Sequence, residues 1–307
     1  MKRLLAVYGL KTRDYGFLPH FYPTARLIEA CENRSIPLRF LFPEDVQEFL
    51  SGSNPTTFAE SERQPSPNDF PPDGTVCLIR GTVELDIICL LESRGYRCVN
   101  PSGATNLAND KLETTRFLEV QGFPTPRIAS LAELDSAFAQ GDYPLVAKPR
   151  HGSRGSGVTL VATEREARGR AREILPGNDE WIFQEYVAAS RGRDLRVFFA
   201  SGEILACVER VAFDGALVSN AAQGGAMREP FFGPALGEPW NGMVRAIAER
   251  SKLWYGTVDF LYRDAAGCQT VAGKDRALDL TVCEINAAPG FEALEAATGI
   301  DISGTLI

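Results

Sequence analysis

Apolar residues fall in short runs separated by polar turns, and the spacing of those runs predicts the elements. LLAVYG, starting at Leu4, reads as a first buried strand. A helical stretch from roughly Pro23 to Arg34 follows, then a strand in PLRFLF. From Ser51 to Asp73 the pattern lapses into polar residues with five prolines, Pro55, Pro65, Pro67, Pro71 and Pro72. That predicts a long surface loop or a disordered excursion. TVCLIRG then resumes as a strand, VELDIICLLESRG as a helix and YRCVNP as a short strand. Alternation of this kind predicts a small parallel sheet covered by helices.

A second unit opens near Asn109. DKLETTRFLEVQG carries Leu112, Phe117, Leu118 and Val120 at helical spacing and stops at Gly122. PTPRIA and PLVAKPR read as strands around a helix in ASLAELDSAFAQG; VTLVAT, a helix through Ile174 and the strand WIFQEYV complete the unit. From about Ala188 onward strands dominate. Neither an internal repeat nor a coiled-coil heptad is visible. The predicted fold class is α/β and α+β, in units covering 1–105, 106–187 and 188–307.

A chain of 307 residues can hold two or three cores. Its formal net charge of -8 argues against nucleic acid or an anionic membrane as partner, since both call for a basic surface. Seven scattered cysteines without a CxxC pair read as reduced core residues of a cytoplasmic protein. Only His20 and His151 are present, which disfavours a His-rich zinc site, and no GxSxG elbow suggests a serine hydrolase. MKRLLAVYGL runs into a charged KTRD and lacks the cleavage site of a signal peptide. No apolar run approaches the roughly 20 residues of a membrane span.

Four places carry candidate chemistry. Lys148 ends a buried strand and leads into HGSRGSG, with three glycines in six residues. Such a loop can turn several N–H groups inward to cradle phosphate oxygens, although taken alone it also suits a plain hairpin. In WIFQEYV, apolar residues lead into Glu185 at a segment boundary, compatible with an adenine edge or with an ordinary strand end. A hairpin turning at Ser201-Gly202 has Asp194 and Arg196 on one face, a possible cross-strand ion pair. In the simplest two-residue turn Asp194 faces Glu209, and Arg210 points away from Arg196 unless a bulge intervenes. Finally, Asp259 interrupts the apolar strand GTVDF, and Glu284 and Asn286 share one face of VCEIN. Two carboxylates and an amide are hard oxygen ligands suited to Mg held with nucleotide phosphates; the alternative is a structural polar network.

Together these elements resemble the ATP-grasp superfamily, specifically its RimK-type, glutathione-synthetase-like branch. NDK at 109–111, KPRHGSRGSGV, QEYV, GRDLRVF, SNAAQGG at 219–225, GTVDF and CEINAAPGF occur in that family's order, and ALEAATGIDISG resembles its usual ending. The resemblance covers about residue 100 to the C-terminus. It implies an ATP-grasp fold behind an N-terminal Rossmann-like domain, and a ligase that joins a carboxylate to an amine through an acyl phosphate. It implies ATP and Mg, or Mn, as cofactors. Lys111, Lys148, Ser153, Gly155, Ser156 and Gly157 would contact phosphates. Glu185, Tyr186 and Val187 would hold the adenine, Asp194 the ribose side, and Ser219 and Asn220 belong to the nucleotide-site elements. Asp259, Glu284 and Asn286 would bind Mg, with Arg196 and Arg210 steadying the transferred phosphoryl group.

Val218 and Ala222-Gln223 depart from the basic residues usual around the Ser-Asn element, which takes the support from a glutamate-extended ribosomal tail as acceptor. The stretch between Asp259 and Glu284 is long for a strand pair and predicts an extended hairpin or inserted loop. The expected partners are an amino acid, small peptide or peptide tail, with self-association open. Arg80 and the aromatic stretch Tyr15 to Tyr22 are candidate specificity contacts. A small-molecule kinase or a non-catalytic nucleotide-binding protein of the same fold are the alternatives.

Overall fold

A computed structural model gives the fold and describes residues 3–9, 17–53, 66–81, 83–152, 155–173, 175, 180–212, 217, 226–227, 236–264 and 278–307. Three sheets follow one another along the chain. The first is parallel, order β2-β1-β3-β4, from β1 (Arg3–Gly9), β2 (Leu38–Leu41), β3 (Thr75–Gly81) and β4 (Arg97–Val99). Its helices Tyr22–Asn33 and Leu85–Ser93 lie within two residues of the expected starts and ends of their helical cores. The alternation of apolar runs therefore carries the expected α/β arrangement.

The second sheet is antiparallel, order β5-β8-β6-β7, from β5 (Ile128–Ser130), β6 (Leu145–Pro149), β7 (Thr159–Val161) and β8 (Trp181–Glu185). The helix Lys111–Val120 precedes it, started by Asp110, whose carboxylate accepts the Leu112 and Glu113 N–H groups. The third sheet, order β11-β10-β9-β12-β13, contains β9 (Arg193–Ala200), β10 (Glu203–Val211), β11 (Ala226–Met227), β12 (Tyr255–Tyr262) and β13 (Leu280–Asn286).

Period-two alternation gives β9 two jobs. Leu195, Val197 and Phe199 join Val244 and Ile247 of the helix Trp240–Ser251 in one core. Phe198 and Ala200 on the opposite face pack with Leu4, Tyr8 and Leu78 of the parallel sheet. Asp194 and Arg196 continue that second face. The face that receives the parallel sheet at one end thus carries charged residues at the other.

Two expectations change. The proline-rich 51–73 segment is not wholly a surface excursion, because Phe70 is fully buried with Leu5, Cys77 and Leu91. The helix expected in ASLAELDSAFAQG shrinks to Leu134–Ala137, since Phe138 turns extended to enter the second sheet's core. Most of the segment between β12 and β13 lies outside the described residues. Among the described residues no helix is long and apolar enough to cross a membrane.

Candidate active site

β9 and β10 form the expected hairpin with a different register. A bulge between Ile204 and Ala206 sets Asp194 opposite Arg210 and Arg196 opposite Val208. One extra residue turns Arg210 onto the face of Asp194 and Arg196, correcting the simple-turn expectation that Asp194 faces Glu209. β12 runs beside β9 with Asp259 opposite Arg196, and β13 places Glu284 opposite Asp259 and Asn286 opposite Thr257. Four strands therefore deliver Asp194, Arg196, Arg210, Asp259, Glu284 and Asn286 to one place.

Asp259 is 1% exposed and receives three charge-assisted hydrogen bonds. Arg196 Nε and Nη2 donate to its two oxygens at 2.8 and 2.7 Å, and Arg210 Nη2 adds a third at 2.8 Å. Arg210 also donates to Asp194 at 2.6 and 2.5 Å, so Asp194, expected at the ribose, is engaged within this cluster. Burial alone would raise the Asp259 pKa. Arg196 and Arg210 outweigh it and hold the carboxyl well below its ordinary value.

Glu284 has no ion-pair partner among the described residues. The Asn286 amide N–H donates to Thr257 at 3.3 Å and, weakly, to Asp259 and Glu284 at 3.5 Å. Three carboxylates face two guanidinium groups, leaving the cluster one positive charge short of neutrality. Among the described residues no three His, Cys, Asp or Glu side chains form a metal cage. Two carboxylates and an amide fit instead a hard divalent cation that takes its remaining ligands from phosphate oxygens and water.

The second sheet contributes a cation. Lys148 is 5% exposed, and its Nζ donates to Gln184 Oε1 at 2.8 Å. Gln184 Nε2 is buried without an acceptor. A buried ammonium and an unused amide N–H side by side suit an anionic oxygen. Cys283 of β13 lies within electrostatic reach of Lys148, Glu284, Asp259 and Asp194, which ties Lys148 to the acidic cluster.

Lys111 reaches the glycine-rich loop, donating to the Gly152 carbonyl at 2.8 Å. Gly155 and Gly157 have φ of 67° and 77°, flanking Ser156. At Gly157 a Cβ would lie 3.0 Å from the Pro149 ring, so both backbone shape and space call for glycine. Glu185 ends β8, accepts the Arg127 N–H at 3.2 Å and stands 3.8 Å from Arg263; Tyr186 and Val187 follow it. Ser153, Ser219 and Asn220 lie outside the described residues, as do Val218 and Ala222-Gln223.

Gln184, Thr257 and Arg263 join the site without having been singled out from sequence. Gln184 had a usable signal: like Asp259, it is a polar residue inside an otherwise apolar strand. Arg263 had none, since it is one of many polar residues following a strand.

A family model described as a RimK-like ATP-grasp domain matches residues 108–307. A probable alpha-L-glutamate ligase of Serratia proteamaculans (strain 568) is 30% identical over 293 residues, covering 93% of this chain and 90% of its own. One from Shewanella halifaxensis (strain HAW-EB4) is 28% identical over 306 residues and 97% of this chain, which spans 62% of that longer protein. Among solved structures, a D-alanine–D-alanine ligase from Bacillus anthracis complexed with ATP superposes with a TM-score of 0.66 at 17% identity, over 97% of this chain and 89% of its own, a likeness of fold.

Proposed function

The chain belongs to the RimK-like ATP-grasp family, and from that premise we infer an ATP-dependent ligase that joins a carboxylate to an amine. The observation that carries this reading is the buried Arg196–Asp259–Arg210 cluster, with Glu284 and Asn286 beside it and Lys148 within reach.

Lys148 and the free Gln184 N–H bind phosphate oxygens, and Lys111 draws the glycine-rich loop toward them. Arg196 and Arg210 supply guanidinium N–H groups for the phosphoryl group that a substrate carboxylate attacks, forming an acyl phosphate. An amine then displaces phosphate from the acyl carbon and leaves an amide. Asp259, Glu284 and Asn286 would hold Mg, which would offset phosphate charge when bound. Asp194 keeps Arg210 aimed along the sheet face. Glu185, at the end of β8, would meet the adenine together with Tyr186 and Val187. No enzyme nucleophile is required. L-Glutamate is the first substrate to test, given the relatives' name.

ATP turnover is measured with Mg against pools of amino acids and short peptides, with products weighed by mass spectrometry. A product equal to two substrates less water, formed with ADP and phosphate, supports the ligase. A product heavier by one phosphate makes the chain a kinase, and absence of nucleotide binding removes the reading altogether.

A further inference from the structure

Arg80 in β3 and Tyr8 in β1 stand near the carboxyl ends of adjacent strands, where the order of the parallel sheet reverses, β2 on one side and β4 on the other. The crevice beyond such strand ends is the usual place for ligands in open α/β sheets. Here it opens on the third sheet.

Arg80 Nη2 donates to the Pro289 carbonyl at 2.9 Å, Nη1 faces the Tyr255 hydroxyl at 3.4 Å, and the guanidinium lies 4.9 Å from the Phe291 ring centre. None of these neighbours is an anion. Among the described residues Arg80 has no carboxylate partner, although it is 3% exposed. Its Nε–H is buried without an acceptor, and the Tyr8 hydroxyl beside it, equally buried, makes no well-formed hydrogen bond. Burial pushes the Tyr8 pKa up to about 12, so the phenol keeps its proton and remains a donor at neutral pH. A sealed cation next to two unused donors is costly unless an anion completes the set.

The location suits a substrate. Tyr255, Thr257 and Asp259 alternate onto one face of β12, so Arg80 meets the face that carries Asp259, four residues or roughly 13 Å of strand away. Pro289, which takes Nη2, is three residues past Asn286. We propose that Arg80 and Tyr8 form the subsite that holds the non-reacting carboxylate of the amino-acid substrate, leaving its reacting group at the Arg196–Asp259 cluster. One carboxylate oxygen accepts the Arg80 Nε–H and the Tyr8 O–H together. The other replaces the Pro289 carbonyl on Nη2, since a charged acceptor bonds more strongly than a neutral one. This assignment rests on the ligase reading.

Tyr8→Phe is the informative variant, because the hydroxyl it removes makes no well-formed hydrogen bond within the protein. Calorimetric titration compares L-glutamate, L-glutamine and the α-amide of L-glutamate on the wild-type chain, Tyr8→Phe and Arg80→Gln, each with Mg and a non-hydrolysable ATP analogue. The expected result is that L-glutamate binds the wild type, about tenfold more weakly after Tyr8→Phe and about a hundredfold after Arg80→Gln. The amide that lacks the anchored carboxylate should bind the wild type weakly and ignore both substitutions. Analogue affinity and the thermal midpoint of Tyr8→Phe should stay unchanged. Equal L-glutamate affinity in wild type and Tyr8→Phe overturns the anchor and leaves Arg80 a latch satisfied by water; so does a wild type that binds none of the three probes. Amino-acid-stimulated ADP release that ignores Tyr8→Phe overturns the anchor but keeps the ligase. Failure to bind nucleotide sinks the ligase, while the same titrations repeated without the analogue still judge the anchor.

Discussion

Asp259 keeps its charge at almost zero exposure because three guanidinium N–H groups reach its two oxygens. Asp259→Asn removes the charge and retains the shape, so Arg196 and Arg210 lose their common anion, and Arg210 keeps only Asp194. Breaking a buried pair from one side costs about 3 kcal/mol. The loss of a proposed Mg ligand together with disturbance of the proposed phosphoryl donors Arg196 and Arg210 should lower turnover by about a hundredfold or more. Urea unfolding and ADP release measure the two effects separately. Full turnover in a destabilised variant would reduce Asp259 to a structural anchor. This residue was legible in sequence, as were Glu284 and Asn286, because a charge inside an apolar strand must be satisfied by something. Arg210 was only half legible: its type was evident, but its face depends on a single extra residue near Leu205 that leaves no mark in composition. Gln184 stood only as part of QEYV and was given no role, because the glutamate after it drew the reading.

At the scale of elements, the helix Lys111–Val120 and the strand ending at Pro149 meet through one carboxylate. Asp110 caps the helix, and Arg150 donates to it from Nε and Nη2 at 2.7 to 3.0 Å. Burial would raise the Asp110 pKa, but Arg150 and the Glu113 N–H bring it below the ordinary 3.8. A depressed carboxyl contributes its stabilisation fully above the ordinary value and loses it as pH falls through the folded-state value. Asp110→Asn preserves the cap and drops the charge. Its thermal midpoint should therefore decline less steeply than the wild type's as pH falls below the ordinary carboxyl value, while Asp110→Ala should also lose about 1 kcal/mol at neutral pH for the missing cap. The strands β12 and β13 meet more tightly. A Cβ at Gly256 would stand 2.5 Å from the Asn286 carbonyl oxygen, which is backbone and cannot swing aside. Gly256→Ala should cost about 1–3 kcal/mol and, by shifting Asn286, cut turnover about a hundredfold, a split that denaturation and steady-state kinetics resolve. Element identity followed well from apolar periodicity where strands and helices were long. It failed at Phe138 and Phe70, where one aromatic side chain entering a core decided the local backbone against its polar neighbours.

For the whole molecule, the decisive contacts are those that bind the parallel sheet to the sheet carrying the site, and no motif announced them. Asn100, just past β4, donates to the Tyr255 and Ala287 carbonyls at 2.8 and 2.7 Å and accepts the Trp254 and Tyr255 N–H groups at 2.8 and 3.2 Å. All four bonds cross between the sheets, and one of them ends at Ala287, the residue after Asn286. Farther round, Glu295 accepts from Tyr22 and Arg26, joining the helix Tyr22–Asn33 to the helix Glu292–Thr298. Pattern reading sees residues that repeat along an element; an asparagine in VNPSG reads as a turn, and its partners lie about 155 and 187 positions away. Asn100→Ala would strand two N–H groups and two carbonyls in a buried junction, each uncompensated group costing about 1–3 kcal/mol, so a loss of about 3 kcal/mol or more is expected. Because apolar contacts of Leu4, Tyr8 and Leu78 with Phe198 and Ala200 persist, unfolding should remain one transition, seen alike by Trp254 fluorescence and far-UV circular dichroism. Affinity for Mg with a non-hydrolysable ATP analogue should fall in step, since Ala287 adjoins Asn286, the proposed Mg ligand. If stability falls while that affinity holds, the parallel sheet merely rests on the site. If both fall together, the two sheets act as one support for the chemistry.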